Sequence, residues 1–218
     1  MADRLEVKSR IRGLYAITHD HTDTARLCDS VLKALEGGAS VLQYRNKTAT
    51  PELRGLQVHA LAALCARHDV EFIVNDHLEL AFKIEGAGLH VGSEDSDDLS
   101  AIRRALGPDR VLGVSCYASI ERARAAAAAG ADYVAFGSVF ASPTKPAATR
   151  APLELFEKAR ELRVPLVGIG GITLENLPKL IAAGADAAAV ISELFGAADV
   201  RERAYALARC FDRVSTSQ

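Results

Sequence analysis

No stretch of this chain comes close to the roughly 20 consecutive apolar residues of a membrane-spanning helix, so the sequence offers no transmembrane segment. Its opening residues, MADRLEVKSRIR, are charged where a secretory signal would need an apolar core. Basic charge is not in excess either. The 26 Lys and Arg against 28 Asp and Glu give a formal net charge of −2, which excludes a general electrostatic field for nucleic acid and leaves any anionic ligand to local positive groups. Cys28, Cys65, Cys116 and Cys210 contain no C-x-x-C pair. They supply neither a disulfide framework nor a zinc site and read as reduced thiols of a cytoplasmic protein. A linker is missing too, so the 218 residues are read as a single domain over 1–218, with its core at about 13–214.

What the chain does have is alternation. Short apolar runs fall at Leu14 to Thr18, Val41 to Arg45, Phe72 to Asn75, Gly88 to Val91, Leu112 to Ser115, Tyr133 to Gly137, Leu166 to Ile169 and Ala187 to Ile191. Several are continuously hydrophobic, as strands buried on both faces are. Between them lie helical patterns with their own start signals: Thr22 or Asp23, Thr50 followed by Pro51, Asp98, Ser119, Thr173 and Asp199. Leu27, Val31 and Leu35 share one helical face, and Leu53, Leu56, Ala60 and Leu64 are expected to share another. The alanines at 125–129 fit a helix packed closely on a sheet. A Gly-Ala pair leads into every second strand, at Gly38, Gly86, Gly130 and Gly184, where glycine in the left-handed conformation would end the preceding helix. Four such quarters with eight strands predict an α/β fold of the (β/α)8 TIM-barrel type.

In such barrels the chemistry gathers at the C-terminal strand ends. Strand two ends in Gln43-Tyr44-Arg45-Asn46-Lys47. Residues two apart share a face, so Gln43, Arg45 and Lys47 are expected to turn together toward the mouth and offer cations to an anion. Strand three ends in Asn75-Asp76, and Ser93-Glu94-Asp95 follow strand four. Asp76 and Asp95, opposite those cations, suit a magnesium ion shared with a phosphate chain, although Asp76 could equally cap the helix that begins near His77. Ser115 ends strand five beside Cys116, which reads as inert packing, and His90 reads as a satisfied interior histidine. His19 and His21 flank Asp20, yet nothing else supports a transition-metal site there. The irregular stretch 139–152 carries Ser142, Thr144 and Lys145 and is expected to close over substrate. After strand seven come Gly170 and Gly171 and then Thr173, read as a helix start. Strand eight runs into Ile191 and Ser192, and the two strand ends together suit one phosphate.

Taken in order, these motifs resemble the thiamine-phosphate synthase family. They are QYRNK at 43–47, VND at 74–76, HVG at 90–92 with Asp95, GVS at 113–115, SPTK at 142–145, GIGGI at 168–172 and Ile191-Ser192. The resemblance implies a transferase that joins hydroxymethylpyrimidine pyrophosphate to a thiazole phosphate, with Mg2+ as cofactor. It implies that Gln43 bonds the pyrimidine, that Arg45, Lys47, Asn75 and Lys145 hold the pyrophosphate, and that Asp76 and Asp95 ligate magnesium. Ser115 is implied near the pyrimidine or pyrophosphate, Ser142 and Thr144 at the thiazole, and Gly171, Ile191 and Ser192 at its phosphate. Arg45, Lys145 and Ser115 are the residues expected to act in catalysis. The chain departs from the family's pattern at Ser93, where glutamine is usual, and at Ser142, where threonine is common.

A thiazole tautomerase or regulatory relative on the same barrel would be expected to lose Arg45, Lys47, Asp76, Asp95 and Lys145, and all five are present. A Schiff-base lyase would need a lysine on a strand, and no candidate strand has one. The expected partners are small-molecule substrates, with no nucleic acid and no membrane, and the sequence leaves a homo-oligomer open.

Overall fold

The computed structural model describes residues 10–92, 98–141 and 150–215. Eight parallel strands close into a barrel in sequence order: β1 (Gly13–Ile17), β2 (Ala39–Tyr44), β3 (Glu71–Asn75), β4 (Gly88–Val91), β5 (Leu112–Tyr117), β6 (Tyr133–Gly137), β7 (Leu166–Ile169) and β8 (Ala187–Val190). The seam is made by β8 pairing with β1, from Gly13 opposite Ala187 to Ala16 opposite Val190. Among the described residues, seven α-helices cross between consecutive strands: α1 (Thr24–Glu36), α2 (Pro51–His68), α3 (Leu78–Lys83), α4 (Leu99–Leu106), α5 (Ile120–Ala128), α6 (Glu154–Ala159) and α7 (Leu177–Ala182). After β8 come the short α8 (Ser192–Phe195) and then α9 (Val200–Ser215).

The strands read as unbroken apolar runs because both of their faces are buried. Tyr15, Ile17, Val41, Ile73, Tyr133 and Val167 fill the inside of the barrel, while Leu14, Leu42, Val74, Leu89, Val134 and Leu166 alternate with them and pack under the helices. Glycine makes room within. A Cβ at Gly113 would fall on the Tyr133 ring, and one at Gly88 would meet Ile73 Cδ1 at 2.5 Å. β2 stops at Tyr44, one residue short of expectation, because the Thr18 side chain takes over from the ladder there. Its hydroxyl accepts from Arg45 N at 2.8 Å and donates to Arg45 O at 2.9 Å.

Asp23, Thr50, Asp98, Ser119 and Asp199 each accept a backbone N–H three residues on, as N-caps do. Gly38, Gly86, Gly130 and Gly184 all adopt positive φ, as the repeat predicts. Two expectations are corrected. The helix after Thr173 starts later than expected: Thr173 caps it, its hydroxyl accepting from Asn176 N at 3.3 Å and its carbonyl from Leu177 N at 2.9 Å, but α7 itself starts only at Leu177. Of the expected α2 face Leu53, Leu56, Ala60 and Leu64, only Leu64 is buried; it is joined by Gln57, Val58, Leu61 and Cys65, while Leu56 is 59% exposed. The helix is turned by Gln57, whose buried amide accepts the Tyr44 hydroxyl at 2.8 Å.

Closing the floor of the barrel, Glu71 meets Arg10 at 3.3 Å with its own side chain 5% exposed. Burial raises its pKa, and Arg10 offsets only part of that. A carboxyl whose folded pKa is raised contributes stability that is fully present below its unfolded pKa and is lost as pH rises through the folded value. Glu71→Gln cannot ionise, so we expect it to lose less stability than the wild type as pH rises above the ordinary glutamate range and through the raised folded value, measured in urea titrations. Superimposable pH profiles would contradict this. Among the described residues, no helix is long and apolar enough to cross a membrane.

Candidate active site

The C-terminal ends of β2 and β3 lie side by side, Gln43 opposite Ile73 in register. Gln43 is buried, Arg45 half-buried and Lys47 exposed, so the three residues step outward from the barrel interior toward solvent. The intervening Asn46 turns away from the mouth and shapes the loop. Its amide donates to His21 O at 2.8 Å and Gln57 Oε1 at 3.0 Å, and its oxygen accepts from Ala49 N at 3.1 Å. Lys47 is fixed through its backbone, whose N–H donates to Asp20 Oδ1 at 2.8 Å. Among the described residues, the guanidinium of Arg45 and the ammonium of Lys47 form no ion pair. In the first loop His21 Nδ1 accepts from Asp23 N at 3.0 Å, and the His19 ring packs against Phe195.

Asp76 is not a helix cap. His77 occupies the N-cap of α3 without a side-chain bond, while Asp76 itself adopts φ 60° and turns its carboxylate back across the strand ends. Its Oδ2 accepts from Asn75 Nδ2 at 2.6 Å and its Oδ1 from Gly92 N at 3.2 Å. Two donors thus fix the carboxylate, and each oxygen retains a lone pair for a hard cation. That donor chemistry fits magnesium. Asp95 and Ser93 lie outside the described residues, as do Ser142, Thr144 and Lys145. Among the described residues, no group of three or more His, Cys, Asp or Glu forms a metal cage.

Inside the barrel, five polar side chains form one hydrogen-bonded line. Gln43 Nε2 donates to the Tyr15 hydroxyl at 2.9 Å, and that hydroxyl lies 2.7 Å from the Tyr133 hydroxyl. The Tyr133 hydroxyl lies 2.8 Å from His90 Nδ1, and His90 Nε2 lies 2.8 Å from Ser115 Oγ. Burial lowers the His90 pKa to about 4 and raises those of both tyrosines, so the three rings are neutral near pH 7. Cys116, the neighbour of Ser115, faces the outer layer and burial pushes its thiol up to about 12, in keeping with inert packing. Sequence reasoning read His90 as a satisfied interior residue, and it is one. It missed the roles of Tyr15 and Tyr133. Their apolar strand runs marked them only as buried, and nothing local marked their hydroxyls as paired.

Opposite this line, Gly170 and Gly171 follow β7 at φ 97° and 65°. A Cβ at Gly170 would strike Ser138, because the backbone after β6 lies directly against these glycines: Phe140 N donates to Gly170 O at 3.0 Å. Asn176 Nδ2 holds Gly171 O at 2.9 Å. Ser192 opens α8, where backbone N–H groups have no acceptor within the helix. Glu193 joins the two loops, a link the sequence did not show: its Oε1 accepts from Leu174 N at 3.3 Å and from Arg203 of α9.

Three comparisons bear on this geometry. The sequence profile of a family described as thiamine monophosphate synthase matches residues 14–194. The chain is 56% identical over 205 residues to the thiamine-phosphate synthase of Aromatoleum aromaticum, an alignment covering 94% of this chain and 98% of that protein. It is 52% identical to the thiamine-phosphate synthase of Methylobacillus flagellatus, over 89% of this chain and 92% of that one. Among solved structures it is similar to thiamine phosphate pyrophosphorylase from Pyrococcus furiosus, with a TM-score of 0.82 and 33% identity over 95% of this chain and 98% of that chain.

Proposed function

The chain belongs to the thiamine monophosphate synthase family, and from that premise we propose how its residues carry the family's reaction. It is a transferase acting on small molecules, a thiamine-phosphate synthase. In our reading the substrates are hydroxymethylpyrimidine pyrophosphate and a thiazole phosphate, and the products are thiamine phosphate and pyrophosphate. The observation that carries the assignment of roles is the pair of cations, Arg45 and Lys47, which form no ion pair among the described residues, beside the fixed carboxylate of Asp76 at adjoining strand ends.

Arg45 and Lys47, with Asn75, bind the pyrophosphate and draw off the charge that builds as the methylene C–O bond breaks. Lys145 adds a third cation from the loop after β6. The pyrimidine's amino group spreads the positive charge left on the methylene carbon. Gln43 and Ser115 orient that ring. Gly171, Ile191 and Ser192 hold the phosphate of the thiazole, with Ser142 and Thr144 against its ring, so that the thiazole nitrogen is in place to take the methylene carbon. Positioning and charge stabilisation account for the acceleration, and no protein nucleophile is required. Asp76 and Asp95 would hold magnesium, which when bound neutralises the departing pyrophosphate. The four free thiols suit a reducing compartment, and we assign the protein to the cytoplasm.

The test is pyrophosphate release from the purified protein with the pyrimidine pyrophosphate, the thiazole phosphate and magnesium, each omitted in turn. Release that needs all three is the expected result. Release without the thiazole phosphate would indicate a hydrolase, and no release with retained binding of the thiazole phosphate would indicate a non-coupling relative.

A further inference from the structure

The line Gln43–Tyr15–Tyr133–His90–Ser115 has a direction. An amide nitrogen only donates, so the Tyr15 oxygen is an acceptor toward Gln43. Each phenol owns one proton. In one direction Tyr15 donates to Tyr133, Tyr133 donates to Nδ1 of the neutral His90, and the His90 proton therefore sits on Nε2 and points at Ser115 Oγ. The opposite direction would have Ser115 donate to His90 and Tyr133 donate to Tyr15. With the Gln43 nitrogen facing it, Tyr15 would then receive two hydrogen bonds and keep a buried proton with no acceptor among the described residues, an arrangement that folding disfavours. The first direction leaves every member satisfied.

We propose that Tyr15, Tyr133 and His90 are positioning residues for the coupling reaction: they hold His90 in its Nε2–H form and so present the Ser115 hydroxyl to the barrel mouth as a donor and the Gln43 oxygen as an acceptor. The consequence is a fixed donor and a fixed acceptor at the two ends of the line. An aminopyrimidine carries the complementary pair, a ring nitrogen that accepts and an exocyclic amine that donates. If Ser115 could instead give its proton to His90, it would offer only lone pairs to the ring nitrogen and to the pyrophosphate oxygens, and binding would weaken. The inference rests on the reading that Gln43 and Ser115 meet the pyrimidine substrate.

The first measurement is the tautomer of His90 in substrate-free, 15N-labelled wild-type protein, from long-range 1H–15N correlations. The expected state is a protonated Nε2 and a bare Nδ1, and a proton on Nδ1 overturns the proposal without any variant being made. The second uses Tyr133→Phe, which deprives Nδ1 of its donor. The His90 signal is expected to move toward the Nδ1–H form, and kcat/KM for the pyrimidine pyrophosphate to fall about tenfold, with KM for the thiazole phosphate unchanged. In a Ser115→Ala background the same substitution is expected to change kcat/KM by less than about twofold, since its route is gone. A full tenfold loss in that background, or an equal loss toward both substrates, would make Tyr133 a packing residue and overturn the proposal. Because the tautomer is read without substrate, failure of the coupling reaction itself remains a separate result.

Discussion

Asp76→Asn is expected to fold as the wild type does and to couple its substrates about 10²- to 10³-fold more slowly, the range seen when one charge-stabilising group is removed from an active site. Asparagine shares the tolerance of aspartate for the left-handed backbone found here at φ 60°. It keeps one oxygen to accept from Gly92 N or from Asn75. The fold should therefore lose less than about 1 kcal/mol, one ordinary hydrogen bond. What disappears is the negative charge, and with it the hard anionic ligand that a magnesium-bound pyrophosphate requires. Steady-state rates across a magnesium titration, beside urea denaturation, separate the two effects. Turnover within tenfold of wild type at saturating magnesium would remove Asp76 from the reaction.

The largest effect on stability is expected from one added methyl group. Gly113→Ala places a Cβ on the ring and hydroxyl of Tyr133, which is fully buried and held between Tyr15 and His90, with ring centroids 6.0 Å and 5.6 Å away. Overpacking costs about 1–3 kcal/mol, and displacing the hydroxyl from its two partners adds about 1–3 kcal/mol. We expect a loss of about 3 kcal/mol, and a fall in Tm of about 6–12 °C for a chain of this size. Thermal and urea unfolding measure it directly. A loss below about 1 kcal/mol would mean that the barrel interior yields far more readily than close-packed protein does.

Much of this architecture could be read in the chain. Strands buried on both faces announce themselves as apolar runs, and the caps at Asp23, Thr50, Asp98, Ser119 and Asp199 depend on neighbours within three residues, so all were legible. The failures share a cause, which is partnership at long range. The α2 face turned because Gln57 reaches Tyr44 and Asn46, and a buried glutamine breaks the apolar stripe by which a helix face is recognised. At α7 the local signal held, since Thr173 does cap the helix, and only its first regular residue, Leu177, comes later than the spacing suggested. In the site, strand alternation placed Gln43 and Arg45 on one course toward the mouth. It could not show that Thr18 pins Arg45, or that Glu193 ties the loop after β7 to α8 and α9.

The seam between β1 and β8 has a consequence during synthesis. β1 leaves the ribosome before the other seven strands of the barrel and meets one of its two neighbours, β2, soon afterwards. Its other neighbour begins only at Ala187 of a 218-residue chain. For most of translation, β1 therefore presents an open edge of unpaired backbone groups, the kind of edge that recruits strands from other chains. The nascent protein is most exposed to misassembly just before β8 emerges, and slowing elongation ahead of that point lengthens the hazardous interval.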